Sequence, residues 1–170
     1  MTIQENISLK PYNYFGIDVN AKYFISVSSI AELQHVLMNN KGSKKLIIGG
    51  GSNVLFTQNI DALVIHINTK GIKLTSRFEN TVLISVAAGE NWHDFVIWCI
   101  SKNYGGLENL SLIPGNVGTS PIQNIGAYGI EIKDTFHQLE AIEIATGNKT
   151  VFNHDECNFG YRNSVFKNEL

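Results

Sequence analysis

Between Leu110 and Gly129 the chain reads LSLIPGNVGTSPIQNIGAYG, with glycine at 115, 118, 126 and 129, proline at 114 and 121, and no charged side chain. Proline interrupts a helix or a sheet ladder and glycine weakens both, so the stretch predicts neither element. It is also too apolar for a flexible linker. What remains is a long ordered loop, and such loops are uncommon inside a compact domain unless they are functional. The glycines let the backbone approach a flat ligand. Ile113, Val117, Ile122 and Ile125 offer apolar cover, and Thr119, Ser120, Gln123 and Asn124 offer hydrogen bonds to a ring edge. That combination suits an aromatic heterocycle with a polar rim; the plainer reading is a loop that closes the core.

The flanking sequence predicts what supports such a loop. Residues 23–29 (YFISVSS) read as a strand, and Ser28 or Ser29 caps a helix carrying Ile30, Leu33, Val36 and Leu37. KLIIGGGSNVLF then gives a short buried strand, a glycine break and a second, extended apolar run. Residues 62–68, 71–76 and 81–89 are alternating or β-branched and read as further strands. With Asn91 as cap, Trp92, Phe95, Val96, Cys99 and Ile100 recur at helical spacing, and YGG closes that helix. Residues 137–152 predict two strands about a Thr146-Gly147 turn, and FGYRNSVFKNEL ends in apolar-polar alternation, as a strand does. The seam near Lys70-Gly71 divides the chain into a first α/β lobe, residues 1–70, and a second α+β lobe, residues 71–170.

Composition narrows the partners. At 170 residues, 44% hydrophobic and 16% charged, the chain can bury a core. A net charge of -2, with Lys44-Lys45 as the one adjacent basic pair, argues against nucleic acid. No basic start with an apolar run marks a secretory signal, and no run approaches the ~20 apolar residues of a membrane span, so a cytoplasmic protein off the membrane is expected. Cys99 and Cys157 fit no CxxC spacing, and His35, His66, His93, His137 and His154 are scattered, so neither a disulfide framework nor a metal site is predicted. Nothing in the sequence points to an obligate protein partner.

Two further motifs can carry chemistry. Three glycines in GGGSN, residues 49–53, permit positive φ and expose consecutive N–H groups suited to phosphate oxygens, although a glycine turn between strands has the same appearance. The lysine of a P-loop is missing, and a dinucleotide fingerprint would need glycine at Val54 and a helix after it. In GYRNS, Arg162 is one of two arginines, able to grip a carboxylate in a bidentate manner and to stabilise developing negative charge, or simply a surface residue. On a strand, Tyr161 would point away from Arg162; the two share a ligand only across a bend.

Taken in order, IIGGGSNVLF, AAGENWHDFV, GLENLSLIPGNVGTSPIQNIGAYG and FGYRNSVFK closely resemble the N-terminal part of the UDP-N-acetylenolpyruvoylglucosamine reductase (UDP-N-acetylmuramate dehydrogenase, MurB) family of peptidoglycan synthesis. ISLKPYNYFGID is similar as well, with Tyr14 where threonine is common, so the resemblance runs from Ile7 to Lys167. It implies an α+β, two-lobed FAD-binding domain of the PCMH type, shared with vanillyl-alcohol-oxidase-like flavoproteins, and truncated here. Gly49, Gly50, Gly51, Ser52, Asn53, Val54 and Leu55 match the loop that cradles the FAD pyrophosphate. Ile113, Pro114, Gly115, Gly118, Thr119, Ser120, Ile122, Gln123 and Gly126 match the segment lining the flavin. Tyr128 matches a tyrosine facing the substrate, and Tyr161 and Arg162 match the family's Tyr-Arg pair, whose arginine is an active-site residue that binds the substrate carboxylate.

The reaction implied is reduction of FAD by NADPH, then hydride transfer to the enolpyruvyl group of UDP-N-acetylglucosamine enolpyruvate and protonation by a serine, giving UDP-N-acetylmuramate. In the family that serine and a late glutamate lie in a substrate-binding domain beyond the YRNSVFK region. The chain is therefore expected to lack that domain and the last strands of the flavin lobe, and to be inactive alone. Two other readings stay open: a different flavin oxidase or dehydrogenase of the same fold, which often bonds flavin to a His or Cys that neither loop contains, and a non-catalytic nucleotide-binding module.

Overall fold

A computed structural model describes residues 2–168. The first layer is a four-stranded sheet of β1 (Gln4–Ser8), β2 (Asn20–Val27), β3 (Lys45–Ile48) and β4 (Ile60–Ile67), in the order β1-β2-β4-β3. β1 runs antiparallel to β2, whereas β2 and β3 both run parallel to β4. Helix α1 (Ile30–Asn39) covers one face, where Ile25, Val27, Val36, Leu37, Leu63 and Ile65 form a core. Leu9, Val19, Phe24, Ile48, Phe56 and Val64 fill the other face. Because both faces are covered, Ala62 to Ile65 are all buried, which explains a continuous apolar run where an open sheet would alternate.

Local signals act as expected in α1. Ser29 Oγ accepts from the Glu32 N–H at 3.2 Å, and the Glu32 carboxylate accepts from the Ser28 N–H at 2.7 Å. Hydrogen bonds from Ser28 hold the Glu32 carboxyl below the usual carboxylate range. β1 had no apolar signal in the sequence: QENIS is a largely exposed edge strand held by its register with β2. The run after the three glycines forms no strand. Instead, residues 49–59 cross from β3 to its parallel neighbour β4 without a helix, with Val54 and Phe56 packed into the core beneath.

The second group comprises the hairpin β5 (Ile72–Arg77) and β6 (Val82–Val86), helix α2 (Trp92–Ser101), the short hairpin β7 (Gly126–Ala127) and β8 (Ile130–Glu131), and the hairpin β9 (Gln138–Ile142) and β10 (Lys149–Asn153). Asn91 caps α2 by accepting the Asp94 N–H at 3.1 Å. Trp92, Phe95, Val96, Cys99, Leu110, Ile125 and Ile132 form the core of this group. The two groups also touch through the β9–β10 turn: Gln34 of α1 donates to the Gly147 carbonyl at 2.8 Å, and Ile142 packs under α1.

The C-terminal stretch departs from the expected strand. Gly160 and Asn163 pair across a tight turn, the Val165 N–H returns to the Cys157 carbonyl at 3.0 Å, and Val165–Asn168 forms a short helix, α3. Arg162, the second central residue of that turn, stands at φ +51°, outside the strand region. Cys99 and Cys157 are free buried thiols, pushed up to about 11 by burial. Among the described residues no helix is long and apolar enough to cross a membrane, and no cluster of His, Cys, Asp and Glu could hold a metal.

Candidate functional site

Three segments distant in sequence meet in one region. The first is the glycine loop after β3. Gly51 has φ +65°, and a Cβ there would lie 2.0 Å from the Tyr12 carbonyl oxygen, so the loop is pressed onto the N-terminal turn. The Tyr14 N–H holds it there by donating to the Gly51 carbonyl at 3.1 Å. The half-buried N–H groups of Gly50, Gly51 and Ser52 find no acceptor among the described residues. Consecutive unpartnered amides form a concavity for anionic oxygens.

The second segment is the uncharged loop, and the first rests directly on it. Ser52 Oγ donates to the Pro114 carbonyl at 3.2 Å, Asn53 Nδ2 donates to Gln123 Oε1 at 3.2 Å, and a Cβ on Gly50 would meet Asn116 Oδ1 at 2.7 Å. Helix α2 supports the loop from behind: Trp92 Nε1 donates to the Leu110 carbonyl at 2.7 Å and the Trp92 N–H to the Gly115 carbonyl at 3.0 Å. Gly118 lies against β6's exit, where a Cβ would come within 2.5 Å of Ala88 Cβ. Ile113 and Val117 pack on the second core, while Leu55 and Ile122 remain exposed.

Several polar groups read as ring-edge partners are turned inward. The Ser120 hydroxyl is buried and donates to the Val117 carbonyl at 2.7 Å, and Thr119 donates to the Asn116 carbonyl at 2.9 Å. Asn124 and Ile125, expected to face a ligand, are buried as well. Asn124 Nδ2 donates to the Gly160 carbonyl at 2.9 Å, and its Oδ1 accepts the Lys133 N–H at 3.2 Å.

Those bonds lead to the third segment, the turn bearing Tyr161 and Arg162. Ser164 Oγ, also buried, donates to the Ile122 carbonyl at 2.7 Å, and Arg162 Nη2 donates to the Gly126 carbonyl at 2.7 Å. One N–H of the guanidinium is thus committed, and the residue stays exposed, its other donors meeting no acceptor among the described residues. Tyr128 and Tyr161 project into solvent at 89% and 86% exposure. The chain bends between Gly160 and Asn163, where Tyr161 and Arg162 lie, instead of running on as a strand.

Backbone strain gathers in the same place. Among the described residues seven non-glycines have positive φ; Asn6, Asn103, Asn124 and Asn158 tolerate it, whereas Leu112, Tyr128 and Arg162 pay roughly 1–2 kcal/mol each. All three belong to the second and third segments. Tyr128 and Gly129, both at positive φ, form the two-residue turn between β7 and β8. Such strain persists only where surrounding contacts over-determine it, and it concentrates at functional sites. An open groove of about 340 Å³ near Asn20, Lys22 and Asp61 lies elsewhere, and there Lys22 pairs with Asp61 at 2.7 Å.

Sequence reasoning missed Ser164 and the inward role of Asn124, because which way a loop amide points depends on partners 36 or more residues away. Asn124→Ala is expected to destabilise the chain by about 2–4 kcal/mol, since it strands the Gly160 carbonyl and the Lys133 amide. Urea unfolding measures this, and an unchanged midpoint would contradict the assigned role.

Known proteins share this chain's sequence and fold. The FAD binding domain family matches residues 21–153. The chain is 59% identical over 170 residues to the UDP-N-acetylenolpyruvoylglucosamine reductase of Flavobacterium johnsoniae, covering all of this chain and 50% of that protein. It is 50% identical over 172 residues to the enzyme of the same name from Amoebophilus asiaticus, again covering all of this chain and 51% of that protein. The crystal structure of the UDP-N-acetylenolpyruvylglucosamine reductase (MurB) from Thermus caldophilus has the same fold, with a TM-score of 0.75 at 24% identity over 96% of this chain and 57% of that one. The chain thus spans about half the length of the curated relatives it matches.

Proposed function

The chain belongs to the FAD binding domain family, and on that premise we propose that it is the flavin-holding part of a reductase that converts UDP-N-acetylglucosamine enolpyruvate to UDP-N-acetylmuramate with NADPH. One observation carries the reading: the glycine loop, the uncharged loop and the Arg162 turn, separate in sequence, are joined by direct hydrogen bonds into one surface. The residues present fit the cofactor. The unpartnered amides of Gly50, Gly51 and Ser52 would hold its diphosphate, and Gly115, Gly118, Ile113 and Ile122 would approach the ring system without a charged side chain between them. When bound, FAD supplies a carrier for hydride between NADPH and the enolpyruvyl ether.

The chain's own residues prepare the substrate side. Hydride addition to C3 of the enolpyruvyl group leaves negative charge developing toward the carboxylate. Arg162, fixed through Gly126, would bind that carboxylate and stabilise the charge, with Tyr128 and Tyr161 beside it. Ser164 is not the proton donor, because its hydroxyl is buried and committed to the Ile122 carbonyl. We infer that the proton comes from the part of its longer relatives that this chain does not span. We also infer a division of the flavin domain at Lys70-Gly71, supported by separate cores on either side, and action in the bacterial cytoplasm.

The test is direct. Titrating FAD with the chain should quench flavin fluorescence and raise the unfolding temperature, without NADPH turnover. The whole protein should oxidise NADPH when UDP-N-acetylglucosamine enolpyruvate is added. A whole protein that binds FAD yet leaves NADPH untouched in the presence of that substrate would refute the assignment.

A further inference from the structure

We propose that His93 is a positioning residue for the flavin-facing loop and acts only as neutral imidazole; this rests on the flavin-binding reading above. His93 opens α2 next to Trp92, and its Nδ1 lies 3.3 Å from the Leu112 N–H and 3.0 Å from Ser111 Oγ. A backbone N–H can only donate, so Nδ1 must be the acceptor and the ring proton must sit on Nε2. The bond falls on a strained residue. Leu112 holds φ +62° with its side chain 75% exposed, so no packing of that side chain fixes the conformation.

With Trp92 gripping Leu110 and Gly115, His93 completes a three-point clasp on the residues that lead into Ile113 and Gly115. Protonation at Nδ1 would set two donors against each other and release Leu112, allowing it to relax toward negative φ and to shift Ile113 and Pro114. The nearest charged groups in the chain's layout are Asp94, next to His93 on α2, Glu90 in the turn before it and Glu108 in the 3-10 turn that meets α2. None forms an ion pair with His93 among the described residues. Glu90 is bonded to Gly71 and faces Lys70, and Glu108 is bonded to Gly106. The clasp is therefore closed while the ring is neutral and opens when Nδ1 takes a proton.

Nitrogen-15 NMR of the chain reads this without any ligand. The wild-type Leu112 amide resonance should move on acidification, in step with the His93 ring resonances. In His93→Asn, whose side-chain oxygen keeps an acceptor that cannot be protonated there, it should stay in place. In His93→Leu it should sit at the low-pH position throughout. FAD affinity should follow, falling about three- to tenfold at low pH in wild type and at all pH values in His93→Leu, and holding in His93→Asn. A Leu112 resonance that ignores pH in wild type, or titrates equally in His93→Asn, overturns the proposal. If Leu112 responds as described but no variant binds FAD, the positioning role stands and the cofactor reading fails.

Discussion

Under the proposed function, replacing Arg162 with alanine in the whole protein is expected to lower turnover by about two to three orders of magnitude while leaving FAD affinity nearly unchanged. The asymmetry follows from its place. Among the described residues its guanidinium donates to one carbonyl, that of Gly126, at the far edge of the proposed flavin-facing segment, and the residue is exposed. Among the described residues it belongs to no core, so its loss would remove a cation from the proposed substrate side more than support from the cofactor side. Arg162→Lys would keep the charge without the fork and should recover only part of the rate. Steady-state kinetics with NADPH, together with flavin titration, separates the two effects. Equal losses in binding and rate would point to a structural residue, and an unchanged rate would end the assignment.

Gly51→Ala is the second change with a large expected effect, on stability and on cofactor binding together. The new Cβ would stand 2.0 Å from the Tyr12 carbonyl oxygen, a backbone atom that cannot swing aside, at a φ of +65° that alanine resists. Overpacking and left-handed strain add to about 2–4 kcal/mol, or a fall of roughly 5–15 °C in unfolding temperature for a chain of this size. Either the glycine loop or the N-terminal turn must move, and with it the amides of Gly50 and Ser52, so FAD binding should weaken in the same variant. Thermal unfolding with and without FAD measures both. Gly16→Ala is the control: φ is +61° there too, but a Cβ meets nothing within 4 Å, so only the strain part should appear.

Much of the framework was legible in the residues. The caps Ser29 and Asn91 act as their side chains suggest, and α1, α2, β4 and the hairpin about Thr146-Gly147 lie where periodicity and turn chemistry put them. Those signals are local, carried within a few positions of one another. β1 was not legible because an edge strand with one open face needs no apolar pattern, only a partner. The Arg162 region reads as a strand by alternation. It becomes a turn because Asn124, Ser164 and Arg162 itself bond across to the loop at 122–126.

The amino-acid sequence by itself determined that residues 110–129 form an ordered, uncharged loop and that glycines crowd both it and the turn after β3, since proline, glycine and missing charge act through the backbone where they stand. Only the tertiary structure decided which polar groups of that loop face outward. Thr119, Ser120 and Asn124 are spent inside the protein, while the amides of Gly50, Gly51 and Ser52 are left without partners. A side chain's hydrogen-bonding capacity is written in its type, but whether the capacity is already used depends on atoms brought in from elsewhere in the chain.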